Sequence, residues 1–370
     1  MNEWENLVRV LFLTAPFKRR MVECMAQEFS RLTYEIVTPG IRATSLDWAG
    51  MNASQKMSHE LFGEVATLRE VTRFEPDIIY TDDAYYGAQL KISSYGARKR
   101  IPHIVHLRGD WWTEFTGGLS AASWPRYVAA TQHYAYNWGE LVLARKVTPI
   151  CKWLERVVRN HLPGKKTEVV YQGVDPSQYY ENDGLEFRKP SVAIIQNHTV
   201  LPKVLGLLKF RPVVNKLAQI NFYIAEGEHS NQQYLQLVKR TYSACRNVHF
   251  ISHVDSSDAV RRMLTACDCY VLASGLDCCP TTVLEASLMR RPVIASRVGG
   301  VPEIVLENET GWTIDNESTD YWVEKINRAV TDSKLRRKLG NRGREWVSKT
   351  FGWKTIARQV EQLILQEAQH

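Results

Sequence analysis

The chain has 370 residues, 44% of them hydrophobic and 24% charged, and carries a net charge of +7. That length suits two domains, and the composition is that of an ordinary globular chain, which excludes collagen-like and low-complexity classes. Its apolar stretches break off far short of the ~20 residues that a spanning helix needs. The acidic start Met1-Asn2-Glu3-Trp4-Glu5 lacks the basic flank and apolar run of a secretory signal, so a cytoplasmic protein is expected.

Short β-branched and apolar runs alternate with helical patterns along the chain, the sign of parallel sheets joined by crossover helices. In the first half the runs expected as strands are Val8–Leu13, Tyr34–Val37, Asp77–Tyr80, His103–Leu107, Leu141–Ala144 and Glu168–Tyr171. The polar segment Tyr180–Pro190, with its Gly and Pro, reads as a linker; it divides the chain into domains over 1–183 and 184–351. Beyond it the expected strands are Ser191–Gln196, Asn221–Ala225, Val248–Ile251, Cys269–Leu272 and Pro292–Ala295. Between two of these, residues 255–267 read as a helix, with Asp and Ser caps and Val260, Met263, Leu264 and Cys267 on one face. A final amphipathic helix over 352–370 carries Ile356, Val360, Leu363 and Ile364 at helical spacing.

The seven cysteines are odd in number and irregularly spaced. Cys267-x-Cys269 and Cys278-Cys279 lack the paired arms of a structural zinc site, so reduced thiols and no metal are expected. Asp82-Asp83 is not an Asp-x-Asp metal pair either. Nearly all of the positive excess lies beyond residue 183, which suits an anionic ligand. A nucleic-acid partner is disfavoured, because no helix-turn-helix, zinc-finger or RNA-recognition signature accompanies it.

The stretch Val271–Trp312 holds the most chemistry. A strand ends near Ser274, a loop with Gly275 and Pro280 follows, and a helix begins near Thr281 or Thr282. Backbone N–H groups at such a start favour an anion such as phosphate. Asp277 sits in the loop and Glu285 one turn into the helix, so both carboxylates face the same pocket, where they suit sugar hydroxyls.

This stretch resembles the signature of the family 4 retaining glycosyltransferases, whose fold is GT-B: α/β, with two Rossmann-like domains facing across a cleft. Their acidic pair is spaced E-x7-E, and a run matching Pro292-Val293-Ile294-Ala295-Ser296-Arg297-Val298-Gly299-Gly300-Val301-Pro302-Glu303-Ile304-Val305 follows it. Here the first acid is Asp277, one methylene shorter. Val170–Asp175, Tyr223–Glu228 and Asn247–Ser252 are similar to further family elements, and Phe351-Gly352-Trp353 to the start of the helix that crosses back to the first domain.

The resemblance implies a sugar-nucleotide co-substrate, with UDP slightly favoured over GDP, and no cofactor or metal. Glu285 would bind the donor ribose and Asp277 the donor sugar. Cys279, Pro280, Thr281 and Thr282 would offer backbone to sugar and phosphate, and Ser252 would line the same site. Lys203 and His198 stand where the family has a Lys and an Arg that grip the diphosphate; a histidine lacks the guanidinium fork.

The first domain departs further from the family. Thr14-Ala15-Pro16-Phe17-Lys18-Arg19-Arg20 replaces a Gly-rich loop, and its cations either hold phosphate or form a solvated helix face. In His106-Leu107-Arg108-Gly109-Asp110-Trp111-Trp112, Arg108 and His106 are candidate catalytic groups. Arg108, Asp110, Trp111 and Lys18 are candidates for the acceptor side, the acceptor being a carbohydrate, a lipid-linked sugar or a protein. Lys18–Arg20 and Arg98–Arg100 are candidates for peripheral membrane contact. A retaining hexosyltransferase is thus expected, with a non-catalytic sugar-nucleotide-binding protein and an enzyme glycosylating nucleic acid as alternatives.

Overall fold

In a computed structural model, the structure describes residues 7–14, 19–37, 71–82, 87–113, 124–181, 183–227, 230–252, 254 and 256–369. The chain divides into two compact units: residues 1–111, 121–173 and 353–370 form the first, and 112–120 with 174–352 the second. The second unit therefore begins ahead of the Tyr180–Pro190 linker. The reason is local: Arg344 donates to the carbonyls of Tyr179 and Leu288, tying residues 174–181 to the second unit's helices.

The first unit has strands β1 (Val8–Thr14), β2 (Leu32–Val37), β3 (Ile78–Asp82), β4 (His103–Leu107) and β5 (Lys146–Pro149). They form a parallel sheet in the order β2-β1-β3-β4-β5. Helices α1 (Arg19–Ala26), α2 (Gly87–Lys99), α3 (Trp124–Leu143) and α4 (Lys152–His161) accompany it. Period-two alternation divides the core. Val10, Phe12, Ile78 and Tyr80 pack with Ile356, Val360 and Ile364 of the C-terminal helix (Trp353–Ala368), while Leu11, Leu13 and Ile79 pack with Ile92 of α2 on the other face.

Each fully buried aliphatic side chain of that C-terminal helix contributes roughly 1.5–3 kcal/mol. Buried carboxylates fix its position: Glu361 accepts from the N–H groups of Ser30 and Arg31, each at 2.7 Å, and Glu367 pairs with Lys146 at 2.8 Å and Arg145 at 2.9 Å.

Two expected strands are corrected. Leu141–Leu143 form the last turn of α3, where Leu141 is buried but Val142 and Leu143 are exposed, and β5 follows at Lys146. Residues 168–171 run beside β5 through bonds such as Val170 N–H to Pro149 O at 3.1 Å, without becoming a strand.

The second unit has strands β6 (Ser191–Ile194), β7 (Asn221–Ala225), β8 (Val248–Ile251), β9 (Cys269–Leu272), β10 (Val293–Ser296) and β11 (Gly311–Ile314). They form a parallel sheet in the order β11-β10-β9-β6-β7-β8. Helices α5 (Leu201–Lys209), α6 (Arg211–Lys216), α7 (Gln232–Tyr242), α8 (Ser257–Ala266), α9 (Thr281–Leu288), α10 (Val301–Ile304), α11 (Thr319–Thr331) and α12 (Ser333–Phe351) connect and cover it. The Ser256 hydroxyl caps α8 by accepting from the Ala259 N–H at 3.1 Å. Among the described residues no helix is long and apolar enough to cross a membrane.

Candidate functional site

In an open parallel sheet, ligands bind beyond the carboxyl ends of the strands where the chain order reverses. In the second unit, β6 leads to β7 and β8 on one side, and the chain then returns to β9 on the other. The reversal therefore lies between β6 and β9. Residues 195–203 leave one strand there and residues 273–281 the other, so the sheet brings together most residues that the sequence singled out.

The β9 side is built tightly. Gly275 leaves no room for a Cβ against the Pro202 carbonyl, which presses the loop on α5. Gly299 has φ +52°, and a Cβ there would collide with the Asp277 carbonyl oxygen, a position that glycine adopts without strain. The Gly300 N–H donates to that same oxygen at 3.1 Å. The glycine pair thus fixes the loop that carries Asp277.

The Asp277 carboxylate accepts from the Cys278 N–H at 3.1 Å, and the Lys203 ammonium stands 4.0 Å away. Burial raises the Asp277 pKa, against the pull of Lys203. Pro280 precedes α9, and no side chain caps that helix. Its first turn, with Thr281 and Thr282, keeps the partial positive charge of uncapped N–H groups. The Thr282 hydroxyl is 2.7 Å from that of Tyr270, which donates to the Ile195 carbonyl at 2.9 Å. This chain of contacts ties the end of β6 to the start of α9.

One turn into α9, Glu285 accepts from the Tyr179 hydroxyl at 2.7 Å. Burial raises its pKa, and the Tyr179 bond lowers it in part. Cys279 is buried beside Pro280. All seven cysteines are free thiols, and burial pushes the Cys267 thiol up to about 11.

On the β6 side, His198 is fully buried. Its Nδ1 lies 3.2 Å from the Ser230 hydroxyl, and its Nε2 has no hydrogen-bond partner among the described residues. Burial lowers its pKa to about 4, against the pull of Glu226, so the ring is neutral at pH 7. Glu226 itself pairs with Lys239 at 2.7 Å. Ser252 donates to Glu226 at 3.3 Å, at the end of β8 and two strands from the reversal.

The first unit reverses between β1 and β3, where Thr14 is the register partner of Asp82. Arg108, just past β4, makes a two-pronged bond to the Asp82 carboxylate, Nε to Oδ1 at 2.6 Å and Nη2 to Oδ2 at 3.1 Å. It also donates to the Gln172 amide oxygen. A pocket here is lined by residues that include Met21, Asp82, His106, Arg108 and Trp353. His106 is buried, its Nδ1 3.2 Å from the Thr148 hydroxyl. Asp110, Trp111 and Trp112 are buried. Arg19 and Arg20 open α1 as exposed residues, and Arg19 pairs with Glu23 at 2.8 Å. Lys18 and Asp83 lie outside the described residues.

Sequence reasoning gave no role to Tyr179, Tyr270, Ser230, Asp82 or Gln172. Each acts through a partner distant in the chain, and no local pattern announces such a pairing. Gln196 carries a visible signal, a polar residue closing an apolar strand run.

The profile described as "Glycosyl transferases group 1" matches residues 196–346. An uncharacterised glycosyltransferase of Methanocaldococcus jannaschii is 30% identical over 289 residues, covering 75% of this chain and 72% of its own. The chain belongs to the family 4 glycosyltransferases. The N-acetyl-alpha-D-glucosaminyl L-malate synthase of Bacillus anthracis is 25% identical over 209 residues, covering 54% of this chain and about half, 53%, of that relative. The structure of Anabaena HepE in complex with UDP-glucose superposes with a TM-score of 0.70 at 15% identity, covering 97% of this chain and 99% of HepE. That likeness is one of fold, two Rossmann-like α/β units of the GT-B type.

Proposed function

We propose that this glycosyltransferase moves a hexose-type sugar from a nucleotide diphosphate sugar to an acceptor hydroxyl, with retention of configuration and without a metal. The observation that carries this reading is the grouping at the β6–β9 reversal: Asp277 and Glu285 as hydroxyl acceptors, Lys203 as a cation, and an uncapped helix start. In this reading Glu285 holds the ribose hydroxyls and Asp277 those of the transferred sugar. Lys203, the first turn of α9 and the neutral His198 hold the diphosphate.

Breaking the anomeric C–O bond builds positive charge on the sugar and negative charge on the departing phosphate. Fixed N–H donors and Lys203 stabilise that negative charge where it develops. The acceptor oxygen bonds to the anomeric carbon from the face that the phosphate leaves, and the leaving phosphate oxygen takes the acceptor proton. No protein base is assigned. UDP is the favoured nucleotide, consistent with HepE having been crystallised with UDP-glucose.

The neutral state of His198, in place of a permanent cation, favours a second reading: a protein that binds a sugar nucleotide without turning it over. One experiment separates the two. The protein is incubated with UDP-glucose, UDP-N-acetylglucosamine or GDP-mannose, with EDTA, and the sugar released to water or to added glycosides is followed by NMR. Release or transfer with the donor's anomeric configuration supports the retaining transferase. Inverted product, or activity that EDTA abolishes, overturns the respective part. Binding without turnover establishes the second reading.

A further inference from the structure

The most unusual group in the second unit is the Gln196 amide. Its residue is 8% exposed, yet neither Oε1 nor Nε2 has a hydrogen-bond partner among the described residues. Leaving a buried amide unsatisfied costs about 1–3 kcal/mol for each group, so a side chain of this kind persists only where something outweighs that cost. Gln196 follows directly on Ile195, whose carbonyl joins the first turn of α9 through the Tyr270 and Thr282 hydroxyls. Two residues later comes His198, with its buried and equally unpartnered Nε2. Three unsatisfied buried polar atoms among the described residues thus lie on the segment that leaves the central strand β6, across the reversal from β9 and the uncapped helix that follows it.

We propose that Gln196 is a ligand-contacting residue, held unsatisfied in the free protein, whose amide N–H donates to the diphosphate of the donor beside His198. The inference rests on the nucleotide-sugar reading of this site. The two side chains replace one guanidinium by two neutral donors, an arrangement that holds an anion without adding charge. The Gln196 Oε1 is then left to accept from a hydroxyl of the same ligand.

The consequence is a pair of effects with opposite sign. Gln196→Met keeps the length of the side chain and removes both unsatisfied atoms. It is expected to raise the melting temperature of the free protein by about 2–4 °C, the equivalent of a modest stability gain in a unit of this size. The same change is expected to weaken UDP and GDP binding about tenfold, the loss of one hydrogen bond to a charged group. Gln196→Leu serves as the second variant should Met pack poorly.

The experiment is calorimetric titration of wild type and both variants with UDP and with GDP, beside thermal unfolding without nucleotide. A stabilised free protein with weakened binding supports the proposal. Nucleotide binding equal to wild type, or a free protein destabilised by both substitutions, overturns it while leaving the nucleotide-sugar reading in place. Failure of wild type to bind either nucleotide overturns both.

Discussion

The two units share one architecture and solve the reversal of their sheets differently. In the second unit the crevice is lined by a lysine, two carboxylates of raised pKa, a neutral histidine and an uncapped helix start. Its polar groups are in part unsatisfied. In the first unit the corresponding groups are bonded to one another, Arg108 to Asp82 and Gln172. Both crevices pair charged groups internally, Lys203 with Asp277 at 4.0 Å in the second unit and Arg108 with Asp82 in the first, but beyond β6 the second also holds the unpartnered amide of Gln196 and Nε2 of His198 among the described residues. A two-pronged pair at 2.6 and 3.1 Å, as between Arg108 and Asp82, satisfies a buried guanidinium more completely than a single contact at 4.0 Å satisfies Lys203.

The comparison can be broken most forcefully at Asp82. Its carboxylate is almost wholly buried, so Asp82→Ala strands the Arg108 guanidinium and should destabilise the protein by about 3 kcal/mol. Nucleotide affinity in the second unit should stay unchanged. Chemical denaturation and nucleotide titration on the same variant check both halves.

Next in size is Glu285→Ala. On the proposed function this carboxylate accepts from the two ribose hydroxyls, so its removal should weaken donor binding about 100-fold, as read by titration calorimetry. Lys203→Ala should cost about tenfold in affinity, one charge-assisted contact, with a weaker dependence on salt than wild type shows.

The smallest effect concerns pH. Burial lowers the folded pKa of His198 to about 4 from an ordinary value of 6.5. The unfolded chain thus takes up a proton first, and stability is lost as pH falls from about 6.5 to 4. The raised carboxyls of Asp277 and Glu285 work in the opposite sense, because the folded state gains by protonating them. His198→Gln should therefore reduce the loss of stability between pH 6.5 and 4 and leave the change between pH 7 and 8 untouched. Unfolding curves across that range decide it.

How much of this was legible in the sequence follows the same division. Strands such as Asn221–Ala225 and Cys269–Leu272 stand where their apolar runs lie, and α9 begins at Thr281 as its loop implied. The second crevice is encoded in contiguous stretches, so a linear reading finds Asp277, Glu285 and Lys203 together. Arg108 was equally visible, but its neutralisation depends on residues 26 and 64 positions away. The neutrality of His198 follows from burial, against the pull of Glu226, and no motif records either. The strand expected at Leu141–Ala144 failed because a short apolar run at the end of a helix has the same local pattern as a short strand.

The most direct test of the account is thermal stability against a panel of UDP-, GDP- and ADP-sugars in the presence of EDTA, for wild type and Glu285→Ala. A donor at 100 times its dissociation constant adds about 2.7 kcal/mol. The account predicts that at least one donor raises the melting temperature of wild type and leaves that of the variant unmoved. Stabilisation of both proteins alike, or of neither by any donor, would contradict it.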